Sequence, residues 1–164
     1  MTAQQVPAKA ERPVPRPLIK IFWAIHRAIV RVSGGRYGLQ RPVAGTKFGM
    51  LRLTTTGRRS GRTRVAMVGY YEDGPNLVTL AMNGWGTTDP AWWLNLQAVP
   101  EARVELPDGS RLVAARAATD AERDRLWATF ANYPGWGSDI GALAGQRPAE
   151  TAIVVLEPTA GPDR

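Results

Sequence analysis

The sequence contains no cysteine and a single histidine, His26. Without thiols it can form no disulfide, thiolate zinc site or iron–sulfur cluster. With one imidazole it offers no two-histidine metal site and almost no scope for a Ser/His/Asp triad, so no metal is expected and hydrolase chemistry is disfavoured. Long apolar runs are also missing: nothing approaches the roughly 20 residues a bilayer-spanning helix needs. The first 16 residues are polar and carry Pro7, Pro13 and Pro15, and no small-residue cleavage site follows the next apolar stretch. A secretory leader is therefore not expected, and the body of the protein is read as cytoplasmic. Acidic residues are in deficit, 14 against 21 Lys and Arg, for a net charge of +7. That balance calls for an anionic partner, whether nucleic acid, an anionic membrane or a phosphorylated small molecule.

What is present is an ordinary apolar share, 44% of 164 residues, cut by 17 glycines and 13 prolines. Frequent turn residues favour many short strands over a helix bundle. Residues 1–16 read as a flexible tail, too polar to bury a core. From 17 to 33, PLIKIFWAIHRAIVRVS predicts a basic amphipathic helix, begun by proline and stopped by Gly34-Gly35. Lys20, Arg27 and Arg31 fall on one face; Leu18, Phe22, Ile25, Ile29 and Val32 fall on the other. Residues 34–158 form the main domain, and 159–164 a second tail.

Within that domain the hydrophobic period changes to that of strands, at Met50–Thr56, Val65–Glu72 and Asn76–Met82, the last pair joined by the turn Asp73-Gly74-Pro75. Asp89 as cap and Pro90 in the first turn start a helix through AWWLNLQAV. Glu101–Leu106 and Arg111–Ala117 flank the hairpin signal Pro107-Asp108-Gly109. Thr119 and Glu122 have the spacing of a capping box for a helix to about Asn132, with Leu126, Trp127 and Phe130 as its buried stripe. Thr151–Glu157 is the closing strand. About six strands and few helices, without a β-helix-β rhythm, predict a mainly β (α+β) fold, a small antiparallel barrel with flanking helices.

Two segments could carry chemistry. In TTTGRRSGRTR, four arginines occupy seven positions between two strands. Guanidinium forks and turn N–H groups suit phosphate or carboxylate oxygens, yet the same arginines would also keep a sheet edge soluble. Basic residues among six tryptophans could track nucleic acid, but Trp92, Trp93 and Trp127 fall in predicted helices, where packing is their usual role, and no nucleic-acid-binding motif is present. No nucleic-acid partner is expected. The second segment, MNGWG followed by DPAWWLNL, is a strand ending in a glycine loop and then a helix. It could bring backbone close to a flat ring, with Asn95 one turn beyond Ala91, or simply seal the barrel.

Taken together, LRLTTTGRRSGRTR, DPAWWLNLQAVPEARVEL and the closing IVVLEP resemble the deazaflavin-dependent nitroreductase family, the F420-dependent quinone and nitro reductases. The resemblance runs from about Gly34 to Pro158. It implies a split β-barrel whose groove holds coenzyme F420, a deazaflavin with a phosphodiester and a glutamate tail. By matching position, Arg58, Arg59, Ser60, Gly61 and Arg64 would hold phosphate and tail carboxylates, and Thr54, Thr55 and Thr56 would line the approach. Ala81, Met82, Asn83 and Gly84 would face the ring, with Ala91, Trp92 and Asn95 completing the pocket. Tyr133 and Trp136 match aromatics placed at the acceptor.

Departures from the family pattern concern the acceptor. Met82 stands where serine is frequent, and a thioether cannot donate that hydroxyl's hydrogen bond; Asn83 replaces a frequent lysine, Trp85 interrupts a Gly-Gly pair, and Met67 stands where proline is common. The expected activity is hydride transfer from reduced F420 to a quinone-like or nitroaromatic acceptor. The alternatives are a noncatalytic F420-binding or carrier protein, and an FMN-dependent enzyme of the same barrel. The 17–33 helix could pack on the barrel, dimerise, or lie on an anionic membrane surface, where a lipid-resident quinone would be accessible; the last would make the protein peripheral on the inner face of the cell membrane. The oligomeric state is left open.

Overall fold

The computed structural model describes residues 38–82, 88–131 and 150–159. The expected 17–33 helix and the 1–16 tail lie outside them, as do Asn83, Gly84, Tyr133 and Trp136. In chain order the elements are β1 (Gly49–Thr56), β2 (Thr63–Asp73), β3 (Asn76–Leu80), α1 (Ala91–Ala98), β4 (Glu101–Leu106), β5 (Gly109–Ala117), α2 (Asp120–Ala131) and β6 (Ile153–Pro158). The strands form a closed antiparallel barrel in the order β1-β2-β3-β6-β5-β4. Its seam is the β1–β4 pair, from Arg52 opposite Glu105 to Thr54 opposite Arg103. The expected six-stranded barrel is the observed one.

Patterning explains which strand sits where. In β1, Leu51, Leu53 and Thr55 are buried while Met50, Arg52 and Thr54 are half-buried on the opposite side, the alternation of a strand with one face to the core. By contrast, β3 and β6 read as nearly continuous apolar runs, NLVTL and IVVL, because both of their faces are covered. Leu77, Val154 and Leu156 face the barrel interior with Leu51, Leu53, Val104 and Val113. Val78, Leu80, Ile153 and Val155 join a second core with Phe48, Tyr71, Leu126 and Phe130. Phe130 stacks on Phe48 with centroids 5.6 Å apart and meets Tyr71 edge-on at 4.8 Å, while the Tyr71 hydroxyl donates to the Leu126 carbonyl at 3.2 Å. The stripe expected on α2 is thus the observed one: Leu126 and Phe130 are buried and Trp127 packs partly on the same core.

Three local expectations need correction. The strand expected to reach Met82 ends at Leu80. The Ala81 amide still bonds Ala152, but the Met82 amide turns back to the Leu80 carbonyl at 2.8 Å, which ends the ladder. Pro90, expected inside α1, stands at its N-cap with φ −65 and ψ 144, so Asp89 is one residue too early to be the cap. The capping box of α2 is not formed: Asp120 enters in the left-handed region, φ 48, and the Glu122 carboxylate takes both guanidinium ends of Arg116 at 2.6 and 2.9 Å. Arg116 also binds Glu157 of β6, and Arg125 of α2 forks onto Asp73. Those bonds to Arg125 hold the Asp73 carboxyl below the usual carboxylate range. Ion pairs therefore tie this helix to β2 and β5. The hairpins follow expectation: Gly74 takes φ 60 in the two-residue turn between Asp73 and Asn76, as the first central residue of a type II′ turn requires.

One polar group inside the barrel is unsatisfied. Thr79 is fully buried on β3, and its hydroxyl has no hydrogen-bond partner among the described residues. An unpaired buried hydroxyl costs roughly 1–3 kcal/mol. Thr79→Val, of nearly the same shape, should therefore raise the unfolding free energy by about 1 kcal/mol, read as a higher urea midpoint. A lower midpoint would mean that the hydroxyl is bonded after all.

Candidate functional site

Helix α1 closes one end of the barrel. Trp93 and Leu96 enter the interior core, and Trp92 packs partly against it, its ring 6.5 Å from that of Trp93. Trp93 is thereby buried, while Trp92 stays half-buried. The end they close is the one where β1 passes into β2 through the arginine turn, since Asn95 of α1 reaches both the last turn of β1 and the turn itself. The Asn95 amide donates to the Thr55 hydroxyl at 3.2 Å, and its oxygen accepts the Arg58 backbone N–H at 3.1 Å. An N–H must face an acceptor, which assigns the amide's orientation. Asn95 and Thr55 are 4% and 3% exposed, so these are interior bonds.

The turn is folded on itself. The Gly57 N–H bonds the Arg62 carbonyl at 2.8 Å, and the Ser60 and Gly61 N–H groups both bond the Gly57 carbonyl. Gly57 is buried; a Cβ there would lie 2.9 Å from the Arg62 carbonyl, so only glycine fits this closure. Gly61 adopts φ 63. The Ser60 hydroxyl lies 3.4 Å from both the Arg62 amide and the Arg64 guanidinium. Backbone donors are consequently occupied, with the Arg59 N–H alone unbonded among the described residues. The expectation that turn N–H groups would cradle an anion shifts to the guanidinium groups.

Those groups are exposed and lack counter-charge among the described residues. Among the described residues, Arg41, Arg52, Arg116, Arg123 and Arg125 pair with acids; Arg58, Arg59, Arg62 and Arg64 do not. Four cations within seven positions repel one another, and a polyanion placed there would relieve that repulsion. The predicted site residues divide accordingly. Arg58, Arg59, Ser60 and Gly61 share the turn and Arg64 follows it in β2, with Thr55 and Asn95 beneath. Thr55 pairs with Arg64 across β1 and β2, and cross-strand partners share a face. Thr54 and Thr56 fall on the other face, Thr54 opposite Val65 and Arg103. Ala81 is fully buried in the interior core, its N–H bonded to the Ala152 carbonyl. Met82 packs partly on the second core. Ala91 is exposed at the start of α1.

Gly57 and Arg62 belong to this site and were not singled out from the sequence. The signal for Gly57 was its place after a β-branched strand, where a glycine starts a tight turn; Arg62 was visible as one of the four clustered arginines. Asn95 was singled out, but for a different contact from the ones it makes.

With this geometry in hand, similarity to known proteins is informative. The sequence profile of the F420H(2)-dependent quinone reductase family matches residues 23–158. An F420H(2)-dependent quinone reductase of Mycobacterium tuberculosis (strain ATCC 25618 / H37Rv) is 30% identical over 105 residues, 63% of this chain and 68% of that protein. A solved F420-H2 dependent reductase, FDR-A, superposes with a TM-score of 0.57 at 23% identity, over 66% of this chain and 93% of that one. HutZ, the heme storage protein of Vibrio cholerae, superposes at 0.50 with 15% identity, over 68% of this chain and 82% of that one. The two structures speak for the fold alone, and a fold shared with a heme protein leaves the choice of ligand to the site.

Proposed function

The chain belongs to the F420H(2)-dependent quinone reductase family, and from that premise we propose that it is an oxidoreductase passing hydride from reduced coenzyme F420 to a quinone. The observation that carries the cofactor half is the arginine cluster: four guanidinium groups without acidic partners among the described residues, at the barrel end that α1 closes. A phosphodiester with a glutamate tail carries several negative charges on a flexible stem and matches that cluster in sign and number of oxygens. FMN, with one phosphate, would leave most of the cluster uncompensated.

Arg58, Arg59, Arg62 and Arg64 hold the phosphate and tail carboxylates, Ser60 adds a hydroxyl, and Gly61 allows close approach. By the family resemblance, Ala81, Met82, Asn83 and Gly84 would border the ring, and Ala91 and Trp92 would close the pocket beside α1. When bound, the reduced deazaflavin supplies the hydride. The protein's part is to orient an acceptor, exclude water and stabilise the negative charge that develops on it. Tyr133 and Trp136 are assigned to the acceptor. Met82 has no hydroxyl to offer a nitro group, so quinones are favoured over nitroaromatic acceptors. No helix among the described residues is long and apolar enough to cross a membrane; access to a lipid-resident quinone would come through the basic amphipathic 17–33 segment lying on an anionic surface.

A fluorescence titration with F420 and with FMN tests the cofactor. Tighter F420 binding that weakens as ionic strength rises is expected, because the contacts are exposed charges; equal or tighter FMN binding would sink the reading. Reduced F420 should lose its absorbance on adding menadione and enzyme. Binding without such oxidation, over several quinones, would instead indicate a carrier. For the membrane arm, the full chain should float with vesicles containing anionic lipid, and a chain lacking residues 1–33 should not. Equal flotation of the two would remove that part of the proposal.

A further inference from the structure

Asn95 was expected to meet the cofactor directly, yet its side chain is almost completely buried and both ends of its amide are engaged within the protein. One end grips Thr55, the last inward-facing residue of β1, and the other grips the backbone of Arg58, the first arginine of the turn. Apart from the strand pairs at its two ends, every backbone bond in the turn is internal: Gly57 to Arg62, Ser60 to Gly57 and Gly61 to Gly57. Among the described residues, the Asn95 bond is the only one anchoring Arg58–Arg62 to another element. Helix α1, which carries Asn95, is itself fixed by Trp93 and Leu96 in the interior core.

We infer that Asn95 is a positioning residue for the cofactor's anionic end, acting through Arg58: it locks the arginine turn to α1 and the end of β1, and does not touch the deazaflavin ring. The inference rests on the reading that the turn holds the phosphodiester and tail. A guanidinium on a loop that swings freely must be ordered by the ligand at a cost in affinity, whereas a loop already held in place avoids that cost. Hydrogen bonds between buried neutral groups suit this role, since they add no charge of their own to the cationic cluster.

The test compares Asn95→Leu, which removes both bonds at similar volume, with Asn95→Asp. The aspartate keeps an acceptor for the Arg58 N–H, and the Thr55 hydroxyl can rotate to donate to it. Two ligands are titrated: F420, and the deazaflavin chromophore lacking phosphate and tail. Asn95→Leu is expected to weaken F420 binding at least about tenfold and binding of the bare chromophore less than about twofold. In the cofactor-free protein, hydrogen exchange of the Arg58 amide should accelerate by about tenfold or more, and Asn95→Asp, which keeps the acceptor, should restore the slow exchange. Equal weakening of the two ligands, or unchanged exchange at Arg58, would overturn the inference. Should Asn95→Leu fail to fold, Thr55→Val removes the hydroxyl alone and must shift the same two readings in the same direction. If the unmodified protein does not bind F420, the cofactor reading fails by itself, and exchange at the Arg58 amide still decides whether Asn95 restrains the turn.

Discussion

Replacing Arg58 and Arg64 together with alanine should weaken F420 binding by about a hundredfold while leaving the melting temperature nearly unchanged. A charge-assisted hydrogen bond contributes more than a neutral one, roughly 1.5–3 kcal/mol. Exposure to solvent brings each contact here to the low end of that range. About 1.4 kcal/mol per arginine is tenfold in affinity, and two such losses multiply. Stability should barely respond, because neither side chain pairs with an acid among the described residues and both are exposed. Removing two mutually repelling cations is mildly favourable to the fold if anything. The double variant should also show a shallower dependence of affinity on salt. Retained affinity, or a lost fold, would contradict the assignment of these residues to the ligand.

The largest effect on stability should come from Phe130→Ala. Phe130 is 1% exposed and packs α2 into the core formed by Phe48, Tyr71 of β2, Val78 and Leu80 of β3, and Ile153 and Val155 of β6. Truncating a buried phenylalanine costs about 3–5 kcal/mol, from lost transfer energy and the cavity left behind. For a domain of this size that corresponds to a fall in melting temperature of roughly 10–20 °C. Arg125→Ala makes the contrast: its bidentate pair with Asp73 has good geometry, but the arginine is largely exposed, and such pairs contribute roughly 0–1 kcal/mol. Unfolding in urea, followed by tryptophan fluorescence, measures both. A smaller loss for Phe130→Ala than for Arg125→Ala would mean that ion pairs, and not the aromatic cluster, hold this helix.

The contrast between these variants follows a division in how the protein can be read. Strands were legible because burial imposes a period of two, and the doubly covered β3 and β6 announced themselves as continuous apolar runs. Helix ends were less so. Whether Glu122 turns back to cap α2 or reaches Arg116, six residues earlier on β5, depends on how the chain bends between strand and helix, and a capping-box spacing alone does not contain that information. Likewise TTT appears as one lining segment in the sequence, yet the pleat sends Thr55 inward and Thr54 and Thr56 to the other face.

The absence of cysteine and the near absence of histidine determined by themselves that this protein would not work through thiolates, disulfides or a histidine-rich metal site, because no fold can supply missing donor atoms. The excess of arginine, gathered at one turn, likewise marked that turn as a candidate site for an anionic ligand. Only the tertiary structure decided which donors remain available to that ligand. Closing the turn occupied nearly all its backbone N–H groups, leaving the guanidinium groups to face outward, and packing α1 into the barrel end brought Asn95 to Arg58 across 37 positions of sequence. Contacts of that range depend on how barrel closure places distant strands and helices, and local composition carries no trace of them.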